Sequence, residues 1–390
     1  MKTEFLLFAL TLLGVALLHK HTLKVALAGL AALLVYKLFF TADFSLFQLL
    51  AHEWKSLVNL FGLLLGFAIL AKQFEESNVP KILPNYLQDD WKGGFVLLLL
   101  IAVMSSFLDN IAGAMIGGTI ALTVFKGKVH IGYIAAIVAA ANAGGAGSVV
   151  GDTTTTMMWI SGVNGLEVTR AFVGSAVAIF IFGIIASVQQ DRFQRIEKNV
   201  LEKITIDYKK LFAVLLILIG TIAANVLLDF SAIGVWAAIL VATLFTKTPW
   251  KEINHSLSGS VFLLALVLCA SMMPVNDLPA ASWQTTFGLG FVSAVFDNIP
   301  LTALALKQGG YDWGILAFAV GFGGSMIWFG SSAGVAISNI FPEAKSVGGW
   351  IKNGWHVTLA YIIAFFVMLW IVGWNPQVPN KENLQHVLTQ

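Results

Sequence analysis

Three aspartates interrupt long hydrophobic runs: Asp109, Asp152 and Asp297. Two of them share a context. Ser105-Ser106-Phe107-Leu108-Asp109-Asn110-Ile111-Ala112 is echoed by Ser293-Ala294-Val295-Phe296-Asp297-Asn298-Ile299-Pro300. Each stretch is followed by a second matched pair. Gly144-Gly145-Ala146-Gly147-Ser148-Val149-Val150-Gly151-Asp152-Thr153 follows the first, and Gly323-Gly324-Ser325-Met326-Ile327-Trp328-Phe329-Gly330-Ser331-Ser332 the second. Two motifs repeated in the same order mark an internal duplication. A carboxylate at membrane depth is expensive and by default marks a functional site. It must take up a proton or a cation. A site that holds either, but does not stay empty and charged, couples the two. That is the chemistry of cation/proton exchange.

The neighbours suit a hard cation. Asn110, Asn298, Thr153, Thr154, Thr155, Thr156, Ser331 and Ser332 offer neutral oxygens. Interrupted helices add free carbonyls that can ligate a sodium-like ion. Gly144, Gly145, Gly151, Gly323, Gly324 and Gly330 let the backbone leave helical geometry at low steric cost. The halves are unequal, because Asp152 is matched by Ser331, so the first half carries more charge. Blander readings compete. Glycine clusters serve close helix packing, and the threonine hydroxyls can bond their own backbone. Asn142 divides between ligand support and helix glue. His356, His130, His19, His21, His52 and His255 fall near span ends or in loops and read as interfacial.

The elements that must position these residues are membrane spans. Of 390 residues, 58% are hydrophobic and only 11% charged, against about 25% charged in a soluble domain. The chain reads as an all-α polytopic membrane protein. Cys269 alone makes no internal disulfide and argues against a cysteine metal site. Phe5–Leu18 lacks a convincing cleavage site and reads as a retained first span.

Further spans are expected at Leu23–Phe40 and Leu57–Ala71, then a polar loop at Lys72–Gly94. The run 95–125 is too long for one helix across a hydrocarbon core of about 30 Å, and each half is too short. A re-entrant helical hairpin with Asp109-Asn110 at its tip fits both lengths. A broken span at 131–160 and a span at Ala171–Ser187 complete a first repeat, 1–188. The linker 189–210 carries six Lys/Arg and four Asp/Glu. The second repeat, 211–374, has spans at Leu211–Leu228, Ile233–Phe245 and Ser260–Met273. Its hairpin is 285–306, its broken span 314–340 and its last span Trp355–Trp374. A polar tail, 375–390, follows. Tryptophans such as Trp54, Trp91, Trp250, Trp283 and Trp355 read as interfacial anchors.

Five spans per half make the second repeat inverted relative to the first. With the linker cytoplasmic, 17 basic residues fall on that side and 6 on the other, as the positive-inside rule requires. Lys20, Lys24, Lys72, Lys81, Lys92, Lys126, Lys128, Lys247, Lys251, Lys345 and Lys352 join the linker. Lys2, Lys37, Lys55, Arg170, Lys307 and Lys381 lie opposite. Both termini then face outside, and the two hairpin tips meet near the midplane.

At these residues the chain resembles the NhaD-type sodium/proton antiporters of the ion transporter superfamily. The carrying segments are Phe107-Leu108-Asp109-Asn110, Ala141-Asn142-Ala143-Gly144-Gly145 and Gly151-Asp152-Thr153-Thr154-Thr155-Thr156-Met157. In the second half they are Phe296-Asp297-Asn298-Ile299-Pro300-Leu301, Gly323-Gly324-Ser325 and Gly330-Ser331-Ser332-Ala333-Gly334-Val335-Ala336. The resemblance implies a homodimer with a scaffold part and a transport part, and elevator-like movement of hairpins and broken spans. Related dicarboxylate carriers place Ser-Asn-Thr motifs at the equivalent sites. This chain carries Asp there instead, which favours a cation as cargo. It also has Val149-Val150 where family members carry Pro before the Gly-Asp step.

The resulting expectation is Na⁺ (or Li⁺) exchange for H⁺, with the ion at Asp109, Asp152 and Asp297. Asn110, Asn298, Thr153, Thr154, Ser331 and Ser332 would assist. The partners are the lipid bilayer, the small ion and a second copy of the chain; no nucleic acid and no cofactor are expected. The location expected is a bacterial inner (cell) membrane. The alternative is an H⁺- or Na⁺-coupled carrier of a citrate-like organic acid or oxyanion. That would want a cationic group at the site, and none is visible. No His-Glu-x-x-His, intramembrane His pair or Cys cluster supports an enzyme, and inverted hairpins disfavour a passive channel.

Overall fold

The computed structural model describes residues 3–18, 21–41, 44–197 and 204–379. Lys2, His19, Lys20, Lys381 and most of the polar tail lie outside the described residues. Among those described, the chain is helical throughout and contains no strand.

The helices run α1 (Thr3–Leu17), α2 (Thr22–Phe40), α3 (Leu46–Glu76), α4 (Val79–Ile82), α5 (Trp91–Ser105), α6 (Asn110–Val124), α7 (Ile131–Ala146), α8 (Thr153–Ile160), α9 (Gly165–Thr169) and α10 (Ala171–Phe193). After the linker come α11 (Tyr208–Leu228), α12 (Ser231–Ala242), α13 (Lys251–Ser271), α14 (Trp283–Ser293) and α15 (Asn298–Gln308). The last are α16 (Trp313–Gly323), α17 (Ser332–Ile340), α18 (Val347–Asn353) and α19 (Trp355–Val372). Among the described residues, six helical stretches are long and apolar enough to cross a membrane: 22–40, 46–76, 165–193, 208–228, 251–271 and 355–372.

Polar residues set where the helices start. A first turn leaves backbone N–H groups without partners, and a short polar side chain can accept from one of them. Asp90, Asp207 and Asp312 do this for α5, α11 and α16. Ser282 and Thr285 form a reciprocal capping box on α14. At the far end of α15 the chain turns on Gly309 (φ +70°) and Gly310 (φ +77°), a left-handed pair that side chains disfavour.

α7 and α16 form the centre. Every α7 residue from Gly132 to Ala146 is buried, as is every residue of α16. A helix apolar on all sides belongs inside a protein. Around this centre the two halves repeat their contacts. α5 packs on α7 and α14 on α16; α6 packs on α17 and α15 on α8. The Ser105 hydroxyl donates to the Ala141 carbonyl at 2.6 Å, and the Ser293 hydroxyl to that of Val320 at 2.7 Å.

Several elements differ from the sequence reading. The polar stretch from Lys72 is not all loop: α3 continues to Glu76, and Lys72 pairs with Glu75 one turn on, at 2.8 Å. α12 is only 12 residues long and does not meet the length of a span. His356 sits at the expected end of α19 but is fully buried rather than interfacial. Its position facing the core, not its polarity, decided this. The ends of α3, α6 and α10 and the starts of α11 and α13 share one face. There Lys210 pairs with Glu76, the Asp207 N–H donates to the Ser77 carbonyl, and the Glu197 N–H donates to the Val124 carbonyl. On the opposite face Arg170 binds Glu167 at 2.8 Å and the fully buried Asp312 at 3.2 Å.

Candidate functional site

Four helices begin in the interior: α6, α8, α15 and α17. Their first-turn N–H groups have no intrahelical partners, and each helix start is given a side-chain acceptor. The sequence supplies Asp109, Asp152, Asp297 and Ser331 as the capping residues. Asp109 Oδ1 accepts from the Ile111 N–H at 2.9 Å, Asp152 Oδ1 from the Thr154 N–H at 2.8 Å, and Asp297 Oδ1 from the Ile299 N–H at 3.0 Å. Ser331 Oγ accepts from the Gly334 N–H at 3.3 Å. Each carboxylate thus spends one oxygen on a helix end and keeps the other for the site.

Those second oxygens meet different partners. Asp152 Oδ2 accepts from Asn110 Nδ2 at 2.8 Å. Asp297 Oδ2 accepts from the Ser332 hydroxyl at 3.1 Å. Asn110 Nδ2 also donates to Asn142 Oδ1 at 3.1 Å. Asn142 Nδ2 in turn donates to the Ser325 hydroxyl at 2.9 Å and the Ser331 hydroxyl at 3.1 Å. Asn142, fully buried in α7, therefore ties the first half's break to the second half's. Through this polar chain Asn142 supports both breaks. Ser325 was not singled out from sequence. Its signal was a hydroxyl inside a glycine break, where the first half has Ala146.

The four threonines separate by task. Thr155 donates to the carbonyls of Ser148 and Asp152, and Thr156 to those of Val149 and Asp152. Both hydroxyls satisfy the broken backbone. Thr154 Oγ1 donates to Asp152 Oδ1 at 2.8 Å. Thr153 faces the cavity described below. Asn298 is buried, and its Nδ2 has no hydrogen-bond partner among the described residues.

None of the six glycines expected to break the helices has a positive φ. Gly144 and Gly145 lie within the last turn of α7, and Gly323 ends α16. Their use is close approach. A Cβ on Gly144 would stand 2.0 Å from the Ala102 carbonyl oxygen, and one on Gly323 would stand 2.3 Å from that of Gly290. Gly151 and Gly330 face the Ser105 and Ala294 carbonyls in the same way, at 2.4 and 2.5 Å.

A cavity of 740 Å³ leads to this place from the face that carries Lys72, Lys81 and Glu252. Its walls are α3, α6 and α13. Asp109, Asn110, Asp152, Thr153, Asn298 and Ser332 form its inner end. Asp297 is not on its wall, although Asn298 and Ser332 are. The structure thus brings Asp109 and Asp152 to one cavity and sets Asp297 behind it. No cluster of three or more His, Cys, Asp or Glu suited to a metal ion occurs among the described residues.

The family model described as citrate transporter, CitMHS, matches residues 5–323. Sodium/proton antiporter 1 of Arabidopsis thaliana is 27% identical over 332 residues, which cover 70% of this chain and 55% of that relative. The chain thus spans little more than half of that protein's length. The Na(+)/H(+) antiporter NhaD of Vibrio parahaemolyticus is 24% identical over 70% of this chain and 78% of its own. An uncharacterised transporter of Mycobacterium bovis is 24% identical over 89% of this chain and 92% of its own. The resemblance to NhaD-type antiporters is borne out by relatives that carry the name.

Proposed function

This chain belongs to the citrate transporter family CitMHS, and we propose that within it the protein is a secondary active exchanger of Na⁺ (or Li⁺) for H⁺. The observation that carries the reading is the charge balance at the inner end of the cavity. Each of four converging helix N-termini is equivalent to roughly +0.5 of a charge. Against three ionised carboxylates they leave about one negative charge uncompensated. One monovalent cation, or one proton, neutralises that balance.

Asp109 and Asp152 are the acids that receive the ion, since both line the cavity. Asn110, Thr153, Asn298 and Ser332 complete its surroundings. Asp297, bonded to Ser332, contributes charge from behind. Proton and cation compete because either one removes the same excess charge. Exchange then requires that the site reach the other face only when loaded. The matched contacts of α5–α8 and α14–α17 support an inverted repeat whose two halves move as a transport unit against α1–α3 and α11–α13. We assign elevator-type movement to that unit. The basic face at the cavity mouth is cytoplasmic in this reading, both termini are outside, and the protein works as a homodimer in a bacterial inner membrane.

The family's description keeps a second reading in play, a coupled carrier of a citrate-like anion. Four helix N-termini attract anions. Here, however, their first-turn groups are already capped by three aspartates and a serine, and no Lys or Arg lines the inner end. The test uses purified protein in liposomes with a trapped pH dye and an imposed proton gradient. Na⁺, Li⁺, K⁺ and citrate are added separately. Collapse of the gradient by Na⁺ or Li⁺ alone supports the exchanger. A response to citrate alone overturns it.

A further inference from the structure

The cavity is far larger than its inorganic cargo needs, and its wall is of a different kind from its floor. α6 lines it with Ile111, Met115, Ile116 and Ile120, and α3 adds Leu64 and Phe67. From Asn110 to Thr123 along α6 the lined stretch is about 20 Å long. Binding pockets for drug-sized molecules are roughly 300–1,000 Å³, mostly apolar, with a few convergent polar groups. This cavity, at 740 Å³, has that size and that division. Its polar end holds two carboxylates and no Lys or Arg.

We propose that the vestibule is also a binding site for amphipathic organic monocations, with a protonated amine at Asp109 and Asp152 and an apolar body along α3 and α6. Charge selects the occupant. An ammonium head supplies the single positive charge that the inner end lacks, and its N–H groups can donate to the Asp109 and Asp152 carboxylates. An aryl or alkyl body covers apolar wall that Na⁺ leaves wet. A neutral molecule of the same shape gains the wall and not the floor. The bound amine occupies the sodium position, so it competes with Na⁺ and blocks exchange from the mouth side. The head-group half of the argument rests on the exchange reading above; the wall half does not.

The test is direct titration of 2-phenylethylammonium into purified protein in lipid nanodiscs, followed by calorimetry, at several Na⁺ concentrations. The neutral 2-phenylethanol and citrate are run in parallel. The expected result is binding of the amine that weakens in proportion to added Na⁺, with the alcohol weaker by about tenfold or more. Ala68→Phe and Ala71→Phe each put a ring into the cavity wall away from the acids. Both should weaken the amine by about tenfold while leaving Na⁺-driven proton movement in liposomes within about twofold of the parent. Equal binding of alcohol and amine, or amine binding indifferent to both wall variants, overturns the proposal. No amine binding by a protein that exchanges Na⁺ for H⁺ overturns it alone. Citrate binding without amine binding overturns it together with the exchange reading.

Discussion

Replacing Asp152 with Asn removes one charge and keeps the shape. The wild-type inner end carries an excess of about one negative charge once helix ends are counted, so the variant is close to neutral. A unit charge 4 Å from a monovalent cation is worth about 4 kcal/mol at an effective dielectric of roughly 20. That corresponds to about a thousandfold in Na⁺ affinity. The fold should survive, and the hydrogen-bond chain shows why. A carboxylate only accepts, so Asp152 sets the direction in which Asn110 and Asn142 present their amides. Asn at 152 can still accept from the Thr154 N–H and would offer Asn110 a donor. Turning the Asn110 and Asn142 amides over restores every pair, with the Ser325 and Ser331 hydroxyls donating instead of accepting. Without that reversal, opposed donors would cost about 1–3 kcal/mol. The assay is Na⁺ half-saturation of proton movement in liposomes, with thermal unfolding in detergent alongside. A folded Asp152→Asn protein with half-saturation within about threefold of wild type would refute the charge argument.

Four other outcomes are expected. Half-saturation by Na⁺ should rise as pH falls, by about tenfold per unit in the range where the site holds a proton, because proton and Na⁺ neutralise the same charge; a pH-independent value would separate the two sites. Gly144→Ala puts a Cβ 2.0 Å from the Ala102 carbonyl oxygen and should cost about 1–3 kcal/mol of stability with loss of exchange, read by thermal unfolding and by the liposome assay. Asn142→Leu strips partners from Asn110, Ser325 and Ser331 and should cost about 1–3 kcal/mol, read the same way. Arg170→Ala leaves the buried Asp312 without its cation and should lower stability by about 3 kcal/mol, measured by thermal unfolding. Sodium half-saturation should not move, since the pair lies away from the cavity.

The membrane class and the interruption at Asp109 were legible because they follow from length and hydropathy, and the one at Asp297 because its motif repeats the first. An apolar run too long for one helix and carrying a polar pair in its middle has few foldings in a bilayer. Element ends were less legible. Lys72 and Glu75 look like loop by polarity, yet they extend α3, since a helix can leave the hydrocarbon and continue in water with charged residues paired along it. The glycines pointed to the right places for another reason. Their presence suggested backbone freedom, whereas Gly144, Gly151, Gly323 and Gly330 serve approach to a neighbouring carbonyl, which depends on a partner distant in sequence.

The sequence by itself determined which polar residues interrupt the hydrophobic segments: Asp, Asn and hydroxyl groups, whose solvation cost leaves few roles open. Only the tertiary structure decided how the aspartates divide. Asp109 and Asp152 open onto one cavity, Asp297 stands behind it, and Asn142 joins the halves through Ser325 and Ser331. The physical reason is that each aspartate's first duty is local, capping its own helix, and is written in neighbouring residues. The direction of its second oxygen depends on how α6, α8, α15 and α17 meet, and that is fixed by packing between residues far apart in the chain.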